Sequence, residues 1–269
     1  MKKPMLDSNQ NSESEFDRLR IFNFIMGIFH FAQGVLMVLL SKDYTETLTT
    51  SFINIVGTSE NFRFVSQTQE FVTFKLGPAV ALFLFISAMA HFLLTLPGIF
   101  EWYVKNLKKG ANYARWYEYS ISSSVMIVII AILVGMYDAP SLLLLFGLNA
   151  CMIFFGLMME LHNQTTSKVD WTAFIYGCFA GIIPWIAIAW YFFGAFTNAR
   201  DNGWEVPDFV VGILISLFIF FNVFAVNMYL QYKKIGPWKN YLFGEKMYIV
   251  LSLLAKSALA WQVFSGTLR

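Results

Sequence analysis

The stretch YSISSSVMIVIIAILVGMY occupies residues 119–137, and the stretch APSLLLLFGLNACMIFFGLMM follows it at 139–159. A single charged residue, Asp138, separates the two. The hydrocarbon core of a bilayer is about 30 Å thick, and an α-helix needs about 20 apolar residues to cross it. Two such stretches joined by a tight turn therefore predict two membrane-spanning helices.

The same pattern recurs along the whole chain of 269 residues. Stretches long enough to span a bilayer without Asp, Glu, Lys or Arg occur seven times, if the last is counted despite its interruption by Lys256. We therefore predict an all-α membrane protein, a seven-transmembrane helix bundle that forms a single domain over residues 1–269. The predicted spans are about 19–41, 76–98, 113–137, 139–161, 171–195, 207–232 and 241–265.

The composition excludes several other classes of protein. Hydrophobic residues make up 57% of the chain and charged residues 13%, whereas a soluble domain carries about 25% charged residues. The net charge of +2 gives no basic surface for nucleic acid. The cysteines, Cys151 and Cys178, are too few for a disulfide framework and have no metal-ligand spacing. We therefore expect neither a nucleic-acid partner nor a metal site.

Lysine and arginine predict the orientation, because cytoplasmic loops of membrane proteins are enriched in both. The N-terminal segment and the loops after spans 2, 4 and 6 carry thirteen of them, against five on the other side. The N-terminus is therefore predicted to be cytoplasmic and the C-terminus extracellular. In that orientation 42–75 is the first extracellular loop. Its β-prone runs 50–56 and 62–66 flank a turn at 57–61, which predicts a small β-hairpin.

Ionisable side chains inside a bilayer are costly and need a partner or a function. Lys256 lies deep in span 7, and Ser252 precedes it by one helical turn. Lys256 either pairs with a carboxylate to hold helices together or acts as a desolvated nucleophile that forms a Schiff base with a carbonyl compound. Glu118, near the start of span 3, is its natural counter-ion in the second case. The alternative for Glu118 is an interfacial pair with Arg115.

Two histidines lie within the first two spans. His30 and His91 both belong to the cytoplasmic half by their position along the chain, and Ser87 lies one turn before His91. They are either hydrogen-bonded packing residues or parts of a polar cavity near Glu118 that accepts or passes a proton. Sequence alone leaves both interpretations open.

The chain resembles the heliorhodopsins in two motifs, WYEYSISSSVM at 116–126 and SLLAKSALAWQ at 252–262. The resemblance covers the chain from His30 to Thr267. The orientation reached above from lysine and arginine is the inverted one that distinguishes this family. Shorter elements that also resemble the family are Asn149, Pro184, Trp185 and 220–222.

The resemblance implies a rhodopsin-like bundle that forms homodimers in the lipid bilayer of the cell membrane. All-trans retinal would be bound to Lys256 as a protonated Schiff base. Glu118 would be its counter-ion, and Ser252 would lie beside the linkage, where pump-type microbial rhodopsins keep a second aspartate. The other residues implied to line the retinal site are Tyr119, Met126, Asn149, Met152, Ile153, Trp185 and Phe221.

The function implied is light sensing, with all-trans to 13-cis photoisomerisation and transient deprotonation of the Schiff base. His30, His91 and Ser87 would form the proton-accepting cavity. Ion pumping is not expected, because a pump needs a proton acceptor and a donor on opposite sides of the membrane. Ser122 and Ile129 follow Glu118 in span 3, so this span offers no second carboxylate.

Two alternatives stay open. Light-gated proton conduction would need an acidic group along the outer half of the bundle, and Glu205 and Asp208 lie near the outer start of span 6. A light-dependent regulator would instead dock an unidentified soluble signalling enzyme on the basic cytoplasmic loops. An enzymatic activity of the chain itself is not expected, because no nucleophile–base pair or metal cluster is recognisable.

Overall fold

The computed structural model of the protein describes residues 13–205 and 208–268. Within these residues the chain forms eight α-helices and one two-stranded antiparallel sheet. Seven of the helices are long and apolar enough to cross a membrane. The predicted seven-helix bundle is therefore confirmed, and the chain is a multi-pass membrane protein.

Two strands and two single-turn elements accompany the helices. The strands are β1 (Thr45–Thr58) and β2 (Asn61–Lys75), and a 3₁₀ turn (Gly236–Lys239) precedes the last helix, which a π-helical turn (Phe264–Leu268) extends. The helices are α1 (Glu13–Leu40), α2 (Leu76–Leu93), α3 (Ile99–Leu107), α4 (Tyr113–Leu133), α5 (Ala139–Asn163), α6 (Thr172–Asp201), α7 (Asp208–Lys233) and α8 (Tyr241–Val263).

The long helices differ in how deeply they lie within the bundle. Contacts join α1 to α2, α2 to α4, α4 to α5 and α5 to α6, while α8 packs against α1, α2 and α7. In the most apolar window of α4, 61% of the residues are buried, against 11% in the corresponding window of α7. Helix α4 therefore lies inside the bundle, whereas α7 lies at its periphery.

The two ends of the bundle carry different structures. At the end that we call the hairpin end, the amide of Thr49 in β1 donates a hydrogen bond to the carbonyl of Tyr137 (2.8 Å), just before α5. Leu48 and Phe74 from the two strands pack against the main core there. The opposite end, which we call the α3 end, holds the short helix α3 packed among the first turns of α1 and α8.

Polar side chains fix where three of the helices begin. The side chains of Asn112, Asp138 and Asn240 accept backbone hydrogen bonds in the first turns of α4, α5 and α8, at 2.9–3.0 Å. Such caps satisfy amides that have no partner within the helix. They set the start of α4 and α8, the two helices that carry Glu118 and Lys256.

The predicted hairpin in the 42–75 segment is confirmed, and its strands are longer than predicted. Pairing runs from Thr45↔Lys75 to Thr58↔Asn61, and Phe71 is skipped where the register shifts between Leu48 and Thr49. The runs 50–56 and 62–66 are only the part of it next to the turn. Threonine hydroxyls extend the ladder, as where the Oγ1 atoms of Thr47 and Thr73 lie 2.8 Å apart.

Helix α3 was not predicted. The sequence predicts that span 2 continues to residue 98. Helix α2 ends at Leu93 instead. Pro97 cannot continue a helix, and Gly98 adopts a positive φ of 80°. The apolar side chains of Phe100, Tyr103 and Leu107 then recur at helical spacing and are buried.

The predicted orientation is not decided by the fold. Lys2, Lys3 and Arg269 contribute to it and lie outside the described residues. The remaining lysines and arginines keep their unequal distribution between the two ends. The assignment of the α3 end to the cytoplasm therefore stays a prediction.

Candidate functional site

Lys256 on α8 is buried inside the bundle, with 3% of the residue exposed. Its Nζ donates hydrogen bonds to Glu118 Oε1 (2.8 Å), Ser87 Oγ (2.5 Å) and Ser252 Oγ (3.0 Å). Ser252 lies one turn earlier on α8, while the other two acceptors come from α4 and α2. An ammonium group has three donors. All three are matched, which is what a buried charge requires.

Glu118 is the carboxylate that balances this charge. Its Oε1 also accepts a hydrogen bond from Ser87 Oγ (2.6 Å), and its side chain is only 10% exposed. The alternative partner, Arg115, binds two other carboxylates instead. The structure therefore joins Lys256 and Glu118, two residues that the sequence could only place in the same bundle.

The two histidines stack on each other near this ion pair. The ring centroids of His30 and His91 are 5.5 Å apart, and the ring planes differ by 12°. His91 Nδ1 lies 2.8 Å from Asn23 Oδ1, whereas neither ring nitrogen of His30 has a hydrogen-bond partner among the described residues. His91 and Glu118 border one cavity of about 40 Å³. One water needs roughly 15 Å³. His30 and Ser87 are not among its lining residues.

A larger cavity of about 400 Å³ borders Lys256 and lies among α4, α5, α6, α7 and α8. Glu118 does not line it and borders the smaller cavity instead. The ion pair thus lies between the larger cavity and a small one that ionisable side chains such as His91 and Arg115 border. The residues that the family resemblance assigns to the retinal site all line the larger cavity: Tyr119, Met126, Asn149, Met152, Ile153, Trp185, Phe221 and Ser252.

Glycines that make room for the larger cavity were missed by the sequence analysis. A Cβ atom on Gly156 would collide with the indole ring of Trp116, and one on Gly181 would lie 2.5 Å from Met152 Sδ. All four residues line the cavity. Small residues in membrane helices are common wherever helices pack closely. Their presence alone therefore gives no signal of a cavity.

Replacing Gly156 by alanine is expected to lower the free energy of unfolding by about 1–3 kcal/mol, the usual cost of overpacking a core. The new methyl group displaces Trp116, whose Nε1 donates a 2.7 Å hydrogen bond to Glu160. Gly147→Ala is the matched control on the same helix, because its added Cβ meets nothing within 4 Å. Thermal melting in detergent measures the difference, and equal melting temperatures for the two variants would contradict it.

A second buried charge cluster lies at the α3 end. The guanidinium of Arg115 pairs with Glu160 through one nitrogen and with Glu245 through another, the latter at 2.6 Å. Asn112 donates its side-chain amide to Glu245 (2.7 Å) and its backbone amide to Glu160 (2.8 Å). With the indole of Trp116 these donors tie α4, α5 and α8 together.

No local sequence pattern predicts this cluster. Glu160 and Glu245 lie near the ends of predicted spans, where a carboxylate is ordinary in a membrane protein. Arg115 is 45 positions from Glu160 and 130 from Glu245. The one available signal is Arg115 itself, because an arginine inside a predicted span is costly to bury.

Comparison with known proteins gives one family. A family model described as Heliorhodopsin matches residues 19–268. Among the described residues this range includes both members of the Lys256–Glu118 pair and the seven candidate spans, apart from the first six residues of α1. A search of curated proteins found no match. The family match agrees with the motifs at 116–126 and 252–262, the two segments that carry the buried ion pair.

Proposed function

The chain belongs to the heliorhodopsin family, and on that premise we propose that it is a light sensor that holds all-trans retinal on Lys256. Membership of the family makes it a retinal-type membrane photoreceptor in general. Family membership alone does not specify which lysine binds retinal, which isomer is bound or where the Schiff-base proton goes. These three points are part of our proposal. Light sensing, and not catalysis, is the activity that we assign to the chain.

One observation carries this proposal: the buried amine of Lys256 borders an apolar cavity and is held against a carboxylate. Retinal is an apolar polyene that ends in an aldehyde, and a desolvated lysine is the nucleophile that such an aldehyde requires. The cavity volume of about 400 Å³ falls in the usual range for small-molecule sites. The residues present therefore fit the group. When bound, retinal supplies absorption of visible light and isomerisation from all-trans to 13-cis.

The chain's own residues hold and enclose the pigment. Glu118 balances the positive charge on the nitrogen of Lys256. Trp185 and Phe221, with ring centroids 5.4 Å apart, form one wall of the cavity. Asn149 is fixed by hydrogen bonds to two serines on α4, at 2.8 and 3.1 Å. Side chains that are held in place by packing and hydrogen bonds in turn hold a ligand in one geometry.

Among the residues that the structure describes, the acceptors for the proton of the lysine nitrogen lie only on the side of the α3 end. Glu118 contacts the nitrogen directly, and His91 borders the same small cavity as Glu118. Toward the hairpin end the bundle is filled by buried apolar side chains such as Ile127 and Leu259. We therefore infer that the proton is stored and returned, because transport needs groups on both sides.

Glu118→Gln is expected to move the visible absorption maximum to the red. The carboxylate stabilises the positive charge at the nitrogen in the dark state, and removing it lowers the energy needed to spread that charge along the polyene. Absorption spectroscopy of the purified pigment measures the shift. Ser87→Ala keeps the carboxylate and removes only a hydrogen bond, so its shift should be smaller. An unchanged maximum in Glu118→Gln would show that Glu118 is not the counter-ion.

Illuminated cells in weak buffer are expected to show no sustained pH change that a protonophore abolishes. This result separates the sensor from the second candidate, light-gated proton conduction. Glu205 is an exposed residue in the connection after α6, away from the ion pair, so it offers no acceptor next to the cavity. A lasting pH change that a protonophore abolishes would favour light-gated proton conduction over light sensing.

The proposed sensor is a homodimer in the cell membrane with a cytoplasmic N-terminus. The unequal distribution of lysine and arginine supports the orientation, and the family resemblance supports the dimer. In this orientation the α3 end faces the cytoplasm. An unidentified signalling partner would therefore meet the protein at that end.

A further inference from the structure

A third cavity, of about 180 Å³, lies at the α3 end between the α5–α6 and α7–α8 connections. One water needs only roughly 15 Å³. Lys168 from the first connection and Lys234 and Lys239 from the second border it. Lys168 is far from the other two in sequence, and the fold brings the two connections to one concave site.

One residue of the lining, Tyr241, carries a buried hydroxyl group that is unpaired among the described residues. Tyr241 is 7% exposed, and its hydroxyl has no hydrogen-bond partner among the described residues. Buried polar groups in native proteins are normally paired. The unpaired Tyr241 hydroxyl therefore indicates a partner that the described part of the chain does not supply. Other polar residues that line the cavity are Asn163, Thr166, Ser167 and Gln231.

The charge of the cavity is positive. Its one lining carboxylate among the described residues, Glu160, is already paired with Arg115 and Trp116. The charges of the three lysines are therefore left uncompensated by the lining. A cytoplasmic orientation explains basic loops in general. It does not explain why lysines from two loops converge on a cavity beside an unpaired hydroxyl.

We propose that this cavity binds a phosphate group, carried either by an anionic lipid headgroup or by a soluble phosphate. The ammonium groups of Lys168, Lys234 and Lys239 donate charge-assisted hydrogen bonds to phosphate oxygens. The hydroxyl of Tyr241 donates one more from the cavity wall. Both sources of phosphate reach this end of the bundle, because it lies where the helices emerge from the membrane.

The phosphate site is connected to the larger cavity through one hydrogen bond. Glu160 borders the phosphate site and accepts from Trp116 Nε1 at 2.7 Å, and Trp116 lines the larger cavity. Phosphate therefore alters the surroundings of the pigment, and the effect is reciprocal. This coupling rests on the proposed function, whereas binding does not. A pigment whose absorption and photocycle are unchanged by saturating phosphate would overturn the coupling.

Binding is tested by calorimetric titration of inorganic phosphate into the full chain, with chloride at matched ionic strength as the reference. Lys234→Gln/Lys239→Gln is expected to weaken the affinity at least about tenfold, because two charge-assisted hydrogen bonds are lost. Tyr241→Phe should weaken it several-fold without removing charge. Lys105→Gln/Lys109→Gln is the control, since it removes two exposed lysines from α3 and its C-terminal turn outside the cavity. Equal losses in both double variants would overturn the site.

The source of the phosphate is distinguished in nanodiscs of phosphatidylcholine with or without phosphatidylglycerol. If a headgroup occupies the site, phosphatidylglycerol blocks the titration with inorganic phosphate and is enriched around the unmodified protein relative to Lys234→Gln/Lys239→Gln. If a soluble phosphate occupies it, phosphatidylglycerol leaves the titration unchanged. Absence of both phosphate binding and lipid enrichment would overturn the proposal. None of these measurements requires retinal, so a failure here is separate from a failure of the light-sensing function.

Discussion

Lys256→Ala is expected to eliminate the visible absorption band of the protein expressed with all-trans retinal. Lys256 is the only lysine among the described residues that lines the larger cavity, so no other described amine is placed to hold the aldehyde there. The loss should be complete, because a covalent attachment is either present or absent. Absorption spectra of the two detergent-purified proteins, recorded side by side, provide the measurement.

The loss must be separated from unfolding. Removing Lys256 leaves Glu118 buried without its cation, and breaking a buried ion pair in this way costs about 3–5 kcal/mol. Lys256→Ala/Glu118→Gln removes both charges and serves as the folded control. A band that survives in either variant would exclude Lys256 as the attachment site. A folded wild-type protein without a band would leave Lys256 as a structural partner of Glu118.

Arg115→Gln is expected to destabilise the fold by about 3–5 kcal/mol, the cost of leaving buried charge uncompensated. Two carboxylates, Glu160 and Glu245, depend on this one guanidinium, and both side chains are at most 3% exposed. The cluster joins α4, α5 and α8, so its loss affects the packing at the α3 end. Thermal melting in detergent measures the effect.

The control for this prediction removes all three charges. Arg115→Gln/Glu160→Gln/Glu245→Gln keeps amides that can hydrogen-bond in place of the ion pairs and buries no net charge. It should recover a large part of the stability lost in Arg115→Gln. Two results would contradict this explanation. One is a melting temperature of Arg115→Gln equal to that of the wild type, and the other is a triple variant that melts below Arg115→Gln.

Hydropathy predicts most of this fold because a membrane restricts the choices available to the chain. A charge-free run such as 119–137 is expected to cross the bilayer as a helix, since only a helix satisfies its own backbone there. Helix α3 escaped prediction because a helix of 9 residues at a membrane surface has no such requirement. Its only signal was the spacing of Phe100, Tyr103 and Leu107.

The buried site was predictable only where a residue type is itself unusual. Lys256 and Glu118 attract attention because charge inside a span is costly, and the family resemblance pointed to residues that do line the larger cavity. Gly156 and Trp116 are ordinary residues of membrane helices, and only their contact shows how they shape the cavity. The Arg115 cluster depends on contacts between distant helices, which no local pattern in one sequence contains.

The unequal burial of α4 and α7 has a mechanical consequence. Displacing α4 would disturb the ion pair, the Arg115 cluster and the core at once, so this helix acts as a fixed support. Helix α7 shares little buried surface with the rest of the bundle, yet Phe221 on it forms part of the cavity wall. A change of shape in the cavity therefore meets least resistance at α7. Lys233, the last residue of that helix, would carry the displacement to the α3 end.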